Sequence, residues 1–164
     1  MPGPFAVELV DPPVTYRLRR DALRPAQSVE EMAAFDAGGS DAAVFGAIDL
    51  STGEVMGTAS VSRELAPAAV GGTVASSASA AHWRLRAMAT RKEHRGQGVG
   101  ARVLGACVRH VAGQGGGLLW CNARVAARRF YERGGLTGCG EEFDIAGITH
   151  IVMWRRVDAE ETGA

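Results

Sequence analysis

The chain has 164 residues, a formal net charge of +0 and a hydrophobic share of 46%, values typical of one soluble globular domain. The balanced charge argues against a protein that coats nucleic acid, because such domains carry a basic excess. No apolar run approaches the roughly 20 residues that a membrane span needs, and the N-terminus lacks the basic and apolar regions of a signal peptide. The composition therefore predicts a cytoplasmic protein that binds neither nucleic acid nor membranes.

The cysteines are Cys107, Cys121 and Cys139, an odd number with no CxxC spacing. Two of them lie in strongly apolar segments, which favours buried thiols over disulfides or a metal site. The sequence therefore predicts free thiols, no bound metal and a reducing compartment.

The N-terminal segments predict an irregular arm, a strand and a short helix. Residues 1–13 are rich in proline and are predicted to be the arm. Residues 14–23 alternate apolar and polar side chains at their start, which favours a first strand. Residues 28–36 begin with Ser28 and carry Glu31 three positions later, the spacing of a helix capping box.

The next segments predict a β-hairpin, a loop and a further strand. Residues 43–50 and 55–61 flank the polar turn STGE, as the two strands of a hairpin do. Residues 66–81 are small, uncharged and aperiodic, so they are predicted to be a mobile loop, either a lid or a tolerated insertion. Residues 82–90 alternate again and predict a strand.

The second half alternates helical and extended patterns. It predicts a helix at 99–111, a buried strand at 118–122 and a second helix at 125–135. Two closing strands are predicted within residues 141–156. Residues 158–164 are predicted to be a disordered tail. This order predicts a mixed-sheet α/β domain over residues 14–157.

The segment HRGQGVGARV, residues 94–103, lies between a predicted strand and a predicted helix. Gly96, Gly98 and Gly100 leave no side chains to block a ligand, and Arg95 adds a positive charge. Backbone N–H groups and the helix N-terminus add partial positive charge at the same place. The loop is therefore predicted to bind a diphosphate.

Three cofactors with a diphosphate compete for this loop. A Walker A loop requires GxxxxGK[ST], and no lysine follows these glycines. A dinucleotide fingerprint requires GxGxxG and an acidic residue about 20 positions later, whereas this loop reads GxGxG and the next strand ends in Asn122. The third cofactor is coenzyme A.

Four segments resemble the GNAT superfamily of acyl-CoA-dependent N-acyltransferases. RGQGVG resembles the R/Q-x-x-G-x-G/A signature, and LRAMAT upstream is similar to the strand that pairs with pantetheine. CNARVAARRFYERGGL is similar to the next strand and helix. GEEFDIAGITHIVMWRR resembles the closing hairpin of a bacterial GNAT subgroup whose substrates are largely unassigned. The resemblance is strongest from residue 82 to residue 156.

The resemblance implies the GNAT fold, a mixed central sheet of six or seven strands with a splay between the strands that flank the glycine-loop helix. It also implies acetyl-CoA as cosubstrate. The expected cosubstrate-binding residues are Met88, Ala89, Thr90, Arg95, Gly96, Gln97, Gly98, Val99, Gly100, Ala101 and Asn122. For Asn122, capping of the following helix is the alternative role.

The resemblance also implies a general acid, Tyr131, which would protonate the thiolate of CoA as it leaves. The alternative is that Tyr131 only packs beside Phe130. Some family members carry a catalytic Glu on the strand before the loop, where this chain has Arg84 and Arg86 instead. The base is therefore left open among residues of the closing strands. His150 and Glu142 are the candidates retained, with Glu141 and Asp144 beside them.

Arg84 and Arg86 share one face of their predicted strand, which favours an acceptor with an anionic group. The sequence thus predicts acetyl transfer to an amine, with a small molecule as the acceptor. A non-catalytic acyl-CoA-binding sensor and a protein or peptide N-acetyltransferase are the alternatives. An exposed terminal strand allows a homodimer.

Overall fold

A computed structural model of the chain describes residues 3–35, 41–73 and 81–160. The strands are β1 (Phe5–Leu9), β2 (Ala43–Asp49), β3 (Val55–Arg63), β4 (His82–Thr90), β5 (Gly117–Arg124), β6 (Thr137–Ile145) and β7 (Ile148–Val157). The α-helices are α1 (Tyr16–Leu23), α2 (Met32–Phe35), α3 (Ala68–Thr73), α4 (Val99–Gly113) and α5 (Arg128–Arg133). Short 3-10 turns span Pro12–Thr15, Lys92–His94 and Val125–Ala127.

Within the described residues the strands form a seven-stranded sheet in the order β1-β2-β3-β4-β5-β7-β6. The β1–β2, β2–β3, β5–β7 and β6–β7 pairs are antiparallel, and β4–β5 is parallel. The parallel ladder joins only His82–Arg84 to Leu118–Trp120, fewer residues than either strand contains. The predicted mixed α/β sheet of six or seven strands is confirmed.

The chain divides into two compact units. The first comprises Met1–Ser62 and Leu85–Cys107, and the second comprises Arg63–Arg84 and Val108–Ala164. Strand β4 and helix α4 each supply residues to both units, so the units are interleaved along the sequence.

The start of the first unit differs from the sequence-based prediction. The predicted irregular arm contains β1, which pairs with β2 from Phe5 opposite Asp49 to Leu9 opposite Phe45. The arm prediction was wrong because proline content was given more weight than the apolar run that β1 contains. The ring of Phe5 also packs under the guanidinium of Arg102, at 4.2 Å from the ring centroid.

The segment predicted as a first strand is mostly helix α1. Its buried residues are Thr15, Leu18 and Arg19, which recur at the spacing of a helix rather than of a strand. The alternation at the start of the segment extends over too few residues to determine the structure, and the strand prediction was wrong.

The capping interaction predicted at Ser28 is present, since the Ser28 hydroxyl oxygen accepts the Glu31 backbone N–H at 3.2 Å. The helix itself is shorter than predicted and begins at Met32, whose side chain is buried. The end of the predicted segment, Asp36, lies outside the described residues.

The mobile-loop prediction for residues 66–81 was wrong over its first half. Helix α3 occupies Ala68–Thr73, and residues 74–80 lie outside the described residues. Ala66 and Val70 are buried in a cluster with Leu118 and Trp120 of β5. Small side chains here therefore pack closely against a large indole, a possibility that composition alone did not indicate.

The predicted hairpin, the strand at 82–90 and the alternating second half are confirmed. In α4 the helical spacing places Val99, Val103, Leu104, Cys107 and Val111 in the core. The turn between β6 and β7 is Ala146-Gly147, and both residues have positive φ, 50° and 80°. A two-residue hairpin turn of this kind matches the twist of the strands that it joins.

The tail prediction was wrong for residues 158–160, because the Glu160 N–H donates to the Ala112 carbonyl at 2.9 Å. Residues 161–164 lie outside the described residues. No helix in the described ranges is long and apolar enough to cross a membrane.

The predicted free thiols are confirmed for the cysteines in apolar segments. Cys107 and Cys121 are unbridged and buried, whereas Cys139 is only partly buried. Burial raises the pKa of the Cys107 thiol and of the Cys121 thiol to about 12.

Candidate active site

Strand β4 contains a residue in a conformation that is rare for its type. Ala87 has a φ of +57° in mid-strand, although it carries a Cβ. A left-handed backbone costs a non-glycine residue roughly 1–2 kcal/mol, and such strain persists where surrounding structure imposes it, often at functional sites. The residues that follow, Met88, Ala89 and Thr90, are those expected to pair with pantetheine, and only Ala89 is buried.

Arg91 fixes the exit of β4 against β3, a role that the sequence analysis did not identify. Its N–H donates to the Met56 carbonyl at 2.9 Å, and its Nε donates to the Val55 carbonyl at 3.0 Å. The same Nε lies 2.8 Å from the Glu54 Oε1. The turn that leads into the glycine loop is therefore held at its first residue.

Two glycines of the loop have backbone conformations that favour glycine. Gly96 and Gly98 have φ values of +74° and +83°, and no atom lies within 4 Å of a Cβ built on either residue. Glycine is therefore required by the backbone conformation rather than by crowding. The surface of the loop is left open for a ligand to approach the backbone.

Two exposed side chains of the loop bind back to the residues before it. Arg95 Nε donates to the Thr90 carbonyl at 3.2 Å, and Gln97 Nε2 donates to the Glu93 carbonyl at 3.3 Å. Both bonds tie the loop to the end of β4 and to the turn that follows it, so Arg95 holds its charge beside the loop.

Helix α4 begins directly after Gly98. Val99 is buried against β3, where a Cβ on Gly57 would lie only 2.8 Å from the Val99 Cγ1. The N–H groups of Val99, Gly100 and Ala101 are in the first turn and have no acceptor within the helix. They carry the partial positive charge of the helix N-terminus. The loop and the first turn of α4 thus fit the pyrophosphate of CoA.

In the second unit, β5 and α5 hold the other residues predicted for the cosubstrate and the acid. Asn122 is partly buried on β5, opposite Val152 of β7. Tyr131 is 7% exposed in α5, and its ring meets that of Phe130 edge-on at 5.1 Å between centroids. Tyr131 therefore packs beside Phe130, and its side chain is largely buried.

His150 is the most enclosed of the candidate bases, at 9% exposure. Its Nδ1 lies 2.7 Å from the Ile148 carbonyl oxygen, and its ring stacks on Phe143 at 6.0 Å and 23°. Because a carbonyl only accepts hydrogen bonds, Nδ1 carries the proton and Nε2 of the neutral ring has a lone pair.

The carboxylates of the closing strands are in more open surroundings. Glu141 and Glu142 are exposed where the β6–β7 register shifts between Cys139 and Phe143. Asp144 accepts a hydrogen bond from the Thr149 hydroxyl at 3.0 Å. Of these acids, Glu142 is the one that stays a predicted candidate base.

The two arginines of β4 have partners within the protein. Arg84 Nη1 donates to Glu64 Oε2 at 2.8 Å, and its guanidinium lies 5.0 Å from the centroid of the Trp120 indole. Its side chain is 24% exposed. Arg86 Nη1 lies 3.4 Å from the Ser62 hydroxyl oxygen. The sequence analysis did not identify Glu64 and Trp120 as partners of Arg84, because these contacts depend on how the strands are paired.

The strand, the open glycine loop and the helix that follows it lie in the order that the resemblance to acyl-CoA-dependent N-acyltransferases implies. A family model described as an acetyltransferase (GNAT) domain matches residues 27–157, most of the chain. The chain belongs to the GNAT acetyltransferase family and is an acyl-CoA-dependent acyltransferase.

Known proteins similar to this chain agree with that assignment. The uncharacterized N-acetyltransferase YitI of Bacillus subtilis is 33% identical over 142 residues, which cover 86% of this chain and 89% of that protein. Arabidopsis thaliana NAA60, solved in complex with acetyl-CoA, has a TM-score of 0.71 at 15% identity, covering 94% of this chain and 99% of that one. An acyl-CoA N-acyltransferase from Pseudomonas aeruginosa has a TM-score of 0.66 at 17% identity, covering 93% and 98%. At these identities the two structures show the shared fold.

Proposed function

We propose that the protein transfers the acetyl group of acetyl-CoA to the amine of a small molecule by direct attack, without a covalent enzyme intermediate and without a metal ion. The observation that carries the proposal is the open loop at Gly96 and Gly98, which leads directly into the first turn of α4. Backbone N–H groups of this kind bind a pyrophosphate without requiring a lysine.

The cosubstrate is held mostly by backbone groups. The pyrophosphate lies along residues 95–101, and the backbone of Met88, Ala89 and Thr90 pairs with the pantetheine amides. The left-handed Ala87 supports this pairing, because it interrupts the regular alternation of β4 just before these residues. The Asn122 amide provides a further contact to pantetheine.

Proton transfers are assigned to side chains of the second unit. Tyr131 protonates the thiolate as it leaves, and His150 accepts the proton that the substrate ammonium must lose before it attacks. The lone pair on His150 Nε2 supports this role, and Glu142 is the second candidate base. Most of the rate acceleration comes from positioning and from backbone polarisation of the thioester carbonyl.

Ligand-dependent thermal stability tests the cosubstrate, with acetyl-CoA, CoA, ATP and NAD each at saturating concentration. A ligand at 100 times its dissociation constant stabilises the folded protein by about 2.7 kcal/mol, which gives a measurable rise in Tm. We expect this rise with acetyl-CoA and CoA only. A rise with ATP or NAD alone would refute the proposal.

Acetyl transfer itself is tested by release of CoA thiol with small amines and with peptides that have free N-termini. Turnover of small amines supports the proposed function. Turnover of peptides alone would assign a protein or peptide N-acetyltransferase. Binding of acetyl-CoA without turnover of any amine would assign a non-catalytic acyl-CoA-binding protein.

A further inference from the structure

Strand β3 carries a row of three hydroxyl groups, from Thr58, Ser60 and Ser62. The strand pairs with β2 without a bulge over Gly57–Val61, and alternate residues of a strand project from the same face. The three residues are 0%, 6% and 3% exposed. A buried hydroxyl needs a hydrogen-bond partner, because it has lost its contacts with water.

Two of the three hydroxyls have partners within the protein. Thr58 Oγ1 donates to the Phe45 carbonyl at 2.8 Å, and Ser62 Oγ accepts from Arg86 Nη1 at 3.4 Å. For the Ser60 hydroxyl, no hydrogen-bond partner is present in the described part of the chain. Ser60 is therefore a buried side chain whose capacity to donate and accept hydrogen bonds is not used by those residues.

Ser60 lies across from the strained residue of β4. Strands β3 and β4 are neighbours in the sheet, and the Arg91 N–H at the end of β4 donates to the Met56 carbonyl at the start of β3, at 2.9 Å. The two strands therefore run in opposite directions. Counted along both strands from that bond, Ser60 is opposite Ala87, whose φ is +57°.

The Ser60 hydroxyl is on the face of β3 that is turned away from helix α4. The other face is marked by Gly57, where a Cβ would lie 2.8 Å from the Val99 Cγ1 of α4. Gly57 and Ser60 are an odd number of positions apart, so they project from opposite faces. Because α4 begins at the proposed pyrophosphate site, the cosubstrate occupies the α4 side, and the opposite face is left to the acceptor.

The proposed path of acetyl-CoA ends beside Ala87. Pantetheine links the pyrophosphate to the thioester, and in the proposed function it runs from the glycine loop back along Thr90, Ala89 and Met88. The next residue on this path is Ala87, so the thioester lies at the residue that is opposite Ser60. Neighbouring strands are only about 4.7–4.9 Å apart. An acceptor held at Ser60 is therefore within reach of the acetyl group.

We propose that the Ser60 hydroxyl holds the acceptor amine for attack, by accepting a hydrogen bond from its N–H. The lone pair of the amine nitrogen is then directed at the acetyl carbonyl carbon. A hydroxyl suits this role because it is uncharged, whereas a carboxylate would stabilise the ammonium form, which has no lone pair. The inference rests on the proposed function and adds no proton transfer to it, since Ser60 neither gains nor loses a proton.

The test compares Ser60→Ala with Ser62→Ala, which removes a hydroxyl from the same face of the same strand. Release of CoA thiol is measured with a panel of small amines, and hydrolysis of acetyl-CoA without an acceptor is measured beside it. We expect Ser60→Ala to lower kcat/KM for amines at least tenfold, with the acetyl-CoA dissociation constant and the hydrolysis rate unchanged. Ser62→Ala should retain most of the wild-type kcat/KM.

Thermal stability without ligand tests the unused hydroxyl independently. Removal of a buried hydroxyl that has no partner breaks no hydrogen bond, so the Tm of Ser60→Ala should equal or exceed that of the wild type. Thr58→Val, which removes the hydroxyl bonded to the Phe45 carbonyl, should lower the Tm. An equal fall in the Tm of both variants would show that Ser60 has a structural partner and would overturn the inference.

The kinetic results separate failure of the inference from failure of the proposed function. Unchanged amine turnover in Ser60→Ala would refute the role of Ser60 and leave acetyl transfer intact, and an equal loss of hydrolysis and amine turnover would place Ser60 at the thioester instead. If Ser60→Ala does not fold, Ser60→Cys takes its place, and wild-type turnover in that variant would refute the role equally. Wild-type protein that binds acetyl-CoA and acetylates no amine would refute the proposed function, and the inference with it.

Discussion

Substitution of Gly96 by alanine separates the backbone requirement of the glycine loop from its role in binding. Gly96 has a φ of +74°, and no atom lies within 4 Å of a Cβ built there. The chain offers a matched control in Gly53, in the β2–β3 turn, which has the same φ of +74° and the same open surroundings. Alanine in this conformation costs roughly 1–2 kcal/mol in either place.

We therefore expect Gly96→Ala and Gly53→Ala to lower the free energy of unfolding by similar amounts, measured by denaturant titration without ligand. Acetyl-CoA affinity, measured by calorimetry, should fall at least tenfold in Gly96→Ala and stay at the wild-type value in Gly53→Ala. The physical reason is that the new methyl group occupies space through which the pyrophosphate approaches the loop backbone. Equal acetyl-CoA affinity in the two variants would refute a binding role for this loop.

Three further predictions concern Tyr131, Ala87 and the two buried cysteines. Tyr131→Phe should lower kcat by about 10² or more with unchanged acetyl-CoA affinity, and an equal loss of both would make Tyr131 a packing residue. Ala87→Gly should raise Tm, because relief of roughly 1–2 kcal/mol of strain exceeds the entropic cost of glycine, about 0.5–1 kcal/mol; a lower Tm would contradict the strain. Cys107 and Cys121 of the folded protein should resist thiol reagents at pH 8. The free energy of unfolding should fall as the pH rises from 9.0, the ordinary pKa of a thiol, towards about 12, the pKa of the two buried thiols, because the thiols ionise first in the unfolded chain. Rapid labelling of either would contradict their burial.

The parts of the fold that the sequence predicted well are those with a long local pattern. Helix α4 repeats buried residues over four turns, and the β2–β3 hairpin joins two apolar runs through a short polar turn. Such periodicity reports burial directly, because it reflects one face of a single element.

The errors fall where a short pattern was outweighed by packing elsewhere in the chain. Helix α1 has only eight residues, and one of its fully buried side chains is Arg19. Arginine is a residue type that is normally expected at the surface. Helix α3 is built from small residues and is stabilised by burial of Val70 beside Trp120, a residue 50 positions away. Neither the burial of Arg19 nor the packing of Val70 beside Trp120 can be predicted from the residues adjacent in sequence.

The same distinction explains why the cosubstrate site is easier to find than the acceptor site. The proposed CoA site consists mostly of backbone groups, and a backbone shape must be encoded locally, by glycines at positions of positive φ such as Gly96 and Gly98. An acceptor is recognised by side chains, which depend on strand register. Arg124 and His150 are separated by 26 positions in sequence and become neighbours only when β5 pairs with β7. A shift of that register by one residue would turn His150 to the opposite face, so the set of side chains that face one another at this end of the sheet depends on the pairing of the closing hairpin as well as on residue identity.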